Sequence, residues 1–190
     1  LEILSRNTGQ LKHLTDQLFE LAYLEGGKVP VNIEPILVAE LMFDIKSKLQ
    51  IYAQKSDVEL VVCCENESLI VDSDIAKIER ILTNLVDNAI RHTPAGGSVK
   101  IMSELDAGKV RLCVRDTGAG ISEKEIPYVF DARYKGASRA YNVNVSQSMR
   151  TGLGLAICKK LLTLLESDIG VKSQLEKGSD FSFLLPISNY

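Results

Sequence analysis

The sequence predicts an α+β fold, a two-layer sandwich in which helices cover one face of a mixed, mostly antiparallel sheet. Three observations carry this expectation. Helical apolar periodicity fills two stretches of similar length, residues 39–55 and 75–92. The strand-like runs are joined by short polar turns rather than by regular crossover helices, which favours hairpins over a parallel sheet. The length of 190 residues suits one domain with a real core plus a short appendage.

The appendage comes first. Leu4, Leu11 and Leu18 recur every seven residues, and Leu14 and Leu21 follow the same spacing offset by three, with Asn7 and Thr15 as polar interruptions. That is the a/d pattern of a helix that packs in a bundle. Gly26-Gly27 ends it as a C-cap and joint, so a domain boundary is expected there, dividing 1–27 from 28–190. Residues 31–38 read as a strand that Pro35 confines to an edge or breaks. Residues 58–64 and 69–71 read as two strands joined by the turn Glu65-Asn66-Glu67-Ser68. The helix over 75–92 closes at Thr93-Pro94-Ala95-Gly96-Gly97, and 99–105 with 109–115 form a hairpin around Asp106-Ala107-Gly108. A third helix spans 152–166, and 169–174 with 181–186 form a last hairpin turning at Lys177-Gly178.

Composition excludes several classes. A net charge of −3 gives no electrostatic reason to expect nucleic acid. No apolar run approaches the roughly 20 residues that span a bilayer, and no stretch reads as a signal peptide, so a cytoplasmic domain is expected, in a protein whose other parts can still anchor it. Cys63, Cys64, Cys113 and Cys158 form no CxxC pair and read as buried, reduced thiols.

Three short motifs carry chemistry. Asn84 and Asn88 stand four apart and share a helix face, and an amide oxygen suits Mg²⁺, although exposed helical asparagines are common. Asp116-Thr117-Gly118-Ala119-Gly120-Ile121 follows an apolar strand. Its glycines let the backbone approach a ligand whose amine the carboxylate accepts, and the same residues also make plain turns. Thr151-Gly152-Leu153-Gly154-Leu155-Ala156 opens a helix whose unpaired amides favour anions, or is simply a loop-to-helix joint. Between the last two motifs, residues 122–151 exceed ordinary loop length and are too polar for a core, as a ligand-covering lid or a disordered segment would be.

The ordered set resembles the ATPase family shared by histidine kinases, Hsp90, type II topoisomerases and mismatch-repair ATPases. Its wording is similar to the histidine kinases in particular. Residues 79–94 resemble their N box, Asp116 to Ile121 their first glycine box, and Val129-Phe130-Asp131 with Tyr134-Lys135-Gly136 their F box. Thr151 to Ala156 resemble the second glycine box and Lys177-Gly178-Ser179-Asp180-Phe181 the last. The resemblance covers essentially the whole chain, because residues 11–29 resemble the second helix of the family's dimerisation domain. It implies a Bergerat-type fold that binds ATP and Mg²⁺, with phosphate passed to a histidine and then to the receiver domain of a response regulator. Asn88 would hold Mg²⁺, with Asn84 and Arg91 near the phosphates and His92 in the place of an aromatic against adenine. Asp116 would accept from the adenine amine, supported by Gly118, Gly120 and Ile121. Phe130 and Lys135 would belong to the lid, and Thr151, Gly152, Leu153, Gly154 and Leu155 to the phosphate cradle. A homodimer through the dimerisation helices is implied as well.

Departures accompany the match. Ala132 stands where the F box carries a basic residue, Arg133 where it carries an aromatic, and Leu165-Glu166-Ser167 replace a His-Gly-Gly. His13 lacks the acidic, Arg and Pro neighbours of the family's phosphate acceptor, and His92 belongs to the nucleotide helix. The acceptor histidine is therefore expected upstream of Leu1.

Overall fold

The computed structural model describes residues 2–27, 29–132, 134 and 152–188, the side chains of 2–10 and 13 excepted. Its elements are α1 (Glu2–Glu25), β1 (Glu34–Leu37), α2 (Val38–Lys55), β2 (Glu59–Cys64), β3 (Ile70–Ser73), α3 (Ile75–His92), β4 (Ser98–Asp106), β5 (Lys109–Asp116), a 3₁₀ turn (Ile126–Tyr128), α4 (Gly154–Leu164), β6 (Ile169–Gln174) and β7 (Gly178–Pro186). The main sheet runs β2-β4-β5-β7-β6, with β2 parallel to β4 and every other pair antiparallel. This is the mixed, mostly antiparallel sheet expected.

The alternation of β4, β5 and β7 explains the layering. Val99, Ile101, Val110, Leu112, Val114, Phe181, Phe183 and Leu185 all point one way and are buried under α3 and α4. Each such side chain contributes about 1.5–3 kcal/mol when withdrawn from water. The opposite face carries Lys100, Arg111, Arg115 and Lys172, as a solvated face should.

Three expectations change. The strands at 58–64 and 69–71 do not pair with each other. β2 instead lies parallel to β4, and β3 pairs with β1 in a separate two-stranded sheet. The turn Glu65-Asn66-Glu67-Ser68 folds locally, with Ser68 N–H donating to Asn66 Oδ1, but the chain leaves the main sheet after it. The strand over 31–38 contracts to four residues. Cys113 and Cys158 are buried as expected, whereas Cys63 is exposed, because its side of the edge strand β2 has no covering layer.

α3 is the element around which the site is built. Asp74 caps it, accepting from Lys77 N–H at 3.1 Å, and Ile78, Ile81, Leu82, Leu85, Val86, Ala89 and Ile90 form its buried stripe. Thr93 and Pro94 stop it, with the Thr93 hydroxyl folded back onto Ala89 O at 2.7 Å. Asp74 also accepts from Asn32 N–H at 3.0 Å and from Lys77 Nζ at 2.6 Å, while Lys77 Nζ donates to Pro30 O at 2.7 Å. Burial alone would push the Asp74 carboxyl up; these donors outweigh it and hold it below its usual range. Asp74→Ala removes a cap and leaves a largely buried ammonium without its carboxylate. It is expected to cost at least about 2 kcal/mol in urea unfolding; a loss below about 0.5 kcal/mol would show that water replaces the cap.

α1 lies against α3 and α4. Leu21, Leu24 and Gln17 are buried, and Glu20 takes both Arg80 Nε at 3.0 Å and Arg80 Nη2 at 2.6 Å. Leu11, Leu14 and Leu18 of the heptad seam are exposed, as are Phe19 and Tyr23. Gly27, at φ 74°, ends the helix in the left-handed conformation expected of a C-cap. Among the described residues, no helix is long and apolar enough to cross a membrane.

Candidate functional site

Asn84, Asn88 and His92 recur every fourth residue along α3 and mark one stripe about 12 Å long by helical rise. Each end of the stripe touches a loop from elsewhere in the chain. At the far end the His92 carbonyl accepts from Ala119 N–H at 3.2 Å. A Cβ on Gly118 would lie 2.2 Å from the same oxygen, so only glycine lets this loop sit against the helix. At the near end Asn84 Nδ2 lies 3.5 Å from Gly154 O, the first residue of α4. The stripe thus joins the Asp116 loop to the start of α4, a span of the order of that between the base and the phosphates of a nucleotide.

Asp116 ends β5 and is 5% exposed. Its Oδ1 accepts from Gly118 N–H at 2.8 Å and from Ser179 N–H at 3.2 Å, and among the described residues no hydrogen bond falls on Oδ2. Burial pushes this carboxyl up to about 6; the two amides pull the other way and the charge of Asp180 adds to the rise. At neutral pH it is therefore a charged, mostly desolvated acceptor with one oxygen committed to the fold. Such an oxygen pair is suited to an amine donor on a flat ligand. The loop that follows rests on the β6–β7 turn, where Glu176 N–H donates to Ala119 O at 2.8 Å and Ile121 N–H to Ser173 Oγ at 2.8 Å. Gly120 sits there at φ 68°, and a Cβ on it would lie 2.0 Å from Gln174 O.

At the α4 end, Gly152 takes φ 68° and Leu153, fully buried, occupies the N-cap position without a side-chain cap. The cap residue's side chain thus accepts from none of the first amides of α4, which suits an anion. The Leu153 side chain is fully buried and faces no ligand, and Leu155 packs partly into the core.

The remaining candidates divide. Arg91 lies on α3 beside the stripe, its Nη2 2.7 Å from Asp87 Oδ2. Phe130 packs edge-on against Phe181 with ring centroids 6.2 Å apart, and Lys159 Nζ lies 5.8 Å from its centroid, so its ring is held against the core. Ile121 is partly buried against the core. Lys135 and Thr151 lie outside the described residues, as do Arg133 and residues 136–150 of the expected lid. Among the described residues, no group of three or more His, Cys, Asp or Glu is placed to hold a metal ion. Gly178 and Ser179 lie against Asp116, and the Ser173 hydroxyl bonds both of them; Gly178-Ser179 lay in the last matched box, whereas Ser173 carried no signal.

Comparison with known proteins agrees with this geometry. The family described as "Histidine kinase-, DNA gyrase B-, and HSP90-like ATPase" matches residues 73–189. The sensor protein DivL of Caulobacter vibrioides is 32% identical over 177 residues, which is 93% of this chain and 22% of DivL. The full-length ShkA structure in complex with AMPPNP shares the fold at a TM-score of 0.82 and 24% identity, covering 97% of this chain and 38% of ShkA. Histidine kinase ThkA, solved in complex with the response regulator protein TrrA, aligns at a TM-score of 0.76 and 27% identity over 95% of this chain and 49% of ThkA. The chain therefore spans less than half of each of these relatives. With the family matched across both glycine-lined loops and the α3 stripe between them, the chain belongs to the histidine kinase-, DNA gyrase B- and HSP90-like ATPases, as a catalytic ATP-binding domain of the sensor histidine kinase type.

Proposed function

We propose that this chain binds ATP with Mg²⁺ and, within a larger protein, passes the γ-phosphate to a histidine for relay to an aspartate of a response regulator. The observation that carries the reading is Asp116: a buried carboxylate, tied down at Oδ1, at the foot of the stripe that runs through Asn88 to the start of α4. Asp116 would accept from the adenine amine, with His92 beside the base. Gly152, Leu153 and Gly154 would offer backbone amides to the phosphates, and Asn84 would steady that loop. Arg91 would add positive charge. Such transfer rests on positioning and charge neutralisation more than on covalent chemistry by the protein.

The donor set fits Mg²⁺. With no cluster of acidic ligands among the described residues, the ion would be shared between the Asn88 amide and phosphate oxygens, the arrangement this ion favours. When bound, it would neutralise phosphate charge. Two partners belong to the same proposal. The exposed Leu11, Leu14 and Leu18 of α1 supply an apolar seam for a second copy, and the solved complex of ThkA with TrrA supports a receiver-domain partner. Since ATP is a cytoplasmic substrate, the domain would work on that side of any membrane.

Calorimetric titration with ATP, with and without Mg²⁺, and with GTP as control, tests the reading. ATP is expected to bind at least about tenfold more tightly than GTP, because guanine presents a carbonyl to Asp116 and leaves the buried carboxylate unpaired. Equal affinities would remove Asp116 from a base pocket. No binding at millimolar ATP would favour a non-catalytic module that signals by dimerising.

A further inference from the structure

We propose that Ser173, on β6, is a positioning residue for the base pocket: its hydroxyl ties the Asp116 loop to the β6–β7 turn and so sets where the Asp116 carboxylate stands. The inference rests on the ATP-binding reading above.

The geometry is a saturated hydroxyl. Ser173 Oγ accepts from Ile121 N–H at 2.8 Å, donates to Gly178 O at 2.8 Å and lies 2.9 Å from Ser179 Oγ. A serine hydroxyl has one proton and two acceptor sites. With its proton on Gly178 O, Ser173 must accept from Ser179, which fixes the direction of that second hydroxyl. Three residues from two further segments therefore meet on one atom: the residue closing the first glycine-rich loop, the glycine opening β7, and the serine after it. Ser179 is also the residue whose N–H donates to Asp116 Oδ1 at 3.2 Å. Its register partner on β6 is Ser173 itself, so the strand pairing and the hydroxyl network hold the same point. Asp116 contributes the carboxylate, Ser179 and Gly118 orient it, and Ser173 holds Ser179 and the far end of the Gly118 loop together.

Loss of the Ser173 hydroxyl leaves Ile121 N–H, Gly178 O and Ser179 Oγ without their shared partner, and the Ser179 amide is then free to drift from Asp116. One of the two amides that favour the charged carboxylate weakens, so Asp116 should hold its proton to higher pH. Other titratable or charged groups stand on the packed elements: Asp180 on β7, Arg115 on β5, Lys177 in the turn and His92 at the end of α3. The readout must belong to Asp116 alone.

The test follows the Asp116 carboxyl carbon by NMR pH titration in the nucleotide-free protein, together with ATP affinity by calorimetry. Ser173→Ala should raise the Asp116 midpoint by about half a pH unit or more and weaken ATP roughly three- to tenfold at pH 7.5. Ser173→Thr, which keeps the hydroxyl and suits a strand, should restore both to near the starting values. Ser173→Cys, similar in shape but a weak hydrogen-bonding group, should move in the direction of alanine and gives a second reading should Ser173→Ala not fold. An unmoved Asp116 midpoint in the alanine and cysteine variants would overturn the proposal, even with weaker ATP binding, since that loss would then be general loosening. If the unaltered protein fails to bind ATP, the functional reading falls while the carboxyl titration still decides whether Ser173 positions Asp116.

Discussion

Asp116→Asn is expected to stabilise the nucleotide-free protein while weakening its complex with ATP. The carboxyl is raised from an ordinary 3.8 to about 6, chiefly by burial, so the folded state binds its proton more tightly than the unfolded chain does. Its effect on stability is absent below about 4. Stability then falls as pH rises from about 4 to about 6, and above that the ionised group leaves a constant deficit of roughly 3 kcal/mol. Asparagine keeps an oxygen for Gly118 and Ser179 and carries no charge, so urea unfolding at pH 7.5 should show a gain of about 1–3 kcal/mol that shrinks toward zero at pH 4. The same substitution turns an NH₂ toward the ligand's amine, and flipping the amide would abandon both backbone donors. ATP affinity should fall by at least about tenfold, the value of one charge-assisted hydrogen bond. A variant that is less stable than the parent at pH 7.5, or that binds ATP equally well, would show that Asp116 is a structural residue and not a ligand-facing one.

That opposition of stability and binding marks where sequence reading was strong and where it failed. α3 was legible to the residue, because a 3.6-residue apolar period and a Thr-Pro stop agree on its extent. The β4–β5 and β6–β7 hairpins were legible because each turn carries its own glycine signal. The pairing of β2 was not, since a strand's periodicity says which face it buries and nothing about its neighbour. β2 finds β4 in parallel across the intervening α3, a long-range choice made by packing. The site divides in the same way. Asp116, Gly118 and Gly120 lie within five residues and form a recognisable word, whereas Ser173 is 52 residues from the Ile121 amide it accepts from. A serine in a strand has no pattern that announces it; only the sheet register brings it to the loop.

Gly178 makes the dependence of Asp116 on that register testable with a large effect. It takes φ 91°, and a Cβ on it would lie 1.9 Å from Asp116 O and 3.0 Å from Thr117 Cα. Gly108 in the β4–β5 turn is the matched control, at φ 79° with nothing within 4 Å of its Cβ position. Both substitutions to alanine place a side chain in the left-handed region, which costs about 1 kcal/mol. Gly108→Ala should lose little beyond that and leave ATP affinity unchanged. Gly178→Ala must in addition push main chain away from main chain, because neither neighbour is the end of a flexible side chain. Its loss should reach at least about 3 kcal/mol in urea unfolding. What it displaces is the backbone of Asp116 itself, so ATP affinity should fall more than about tenfold even under conditions where the variant is folded. Equal losses for the two variants would mean that β7 does not hold its close approach to the end of β5. A folded Gly178→Ala protein with undiminished ATP affinity would mean that the carboxylate keeps its place without the β6–β7 turn.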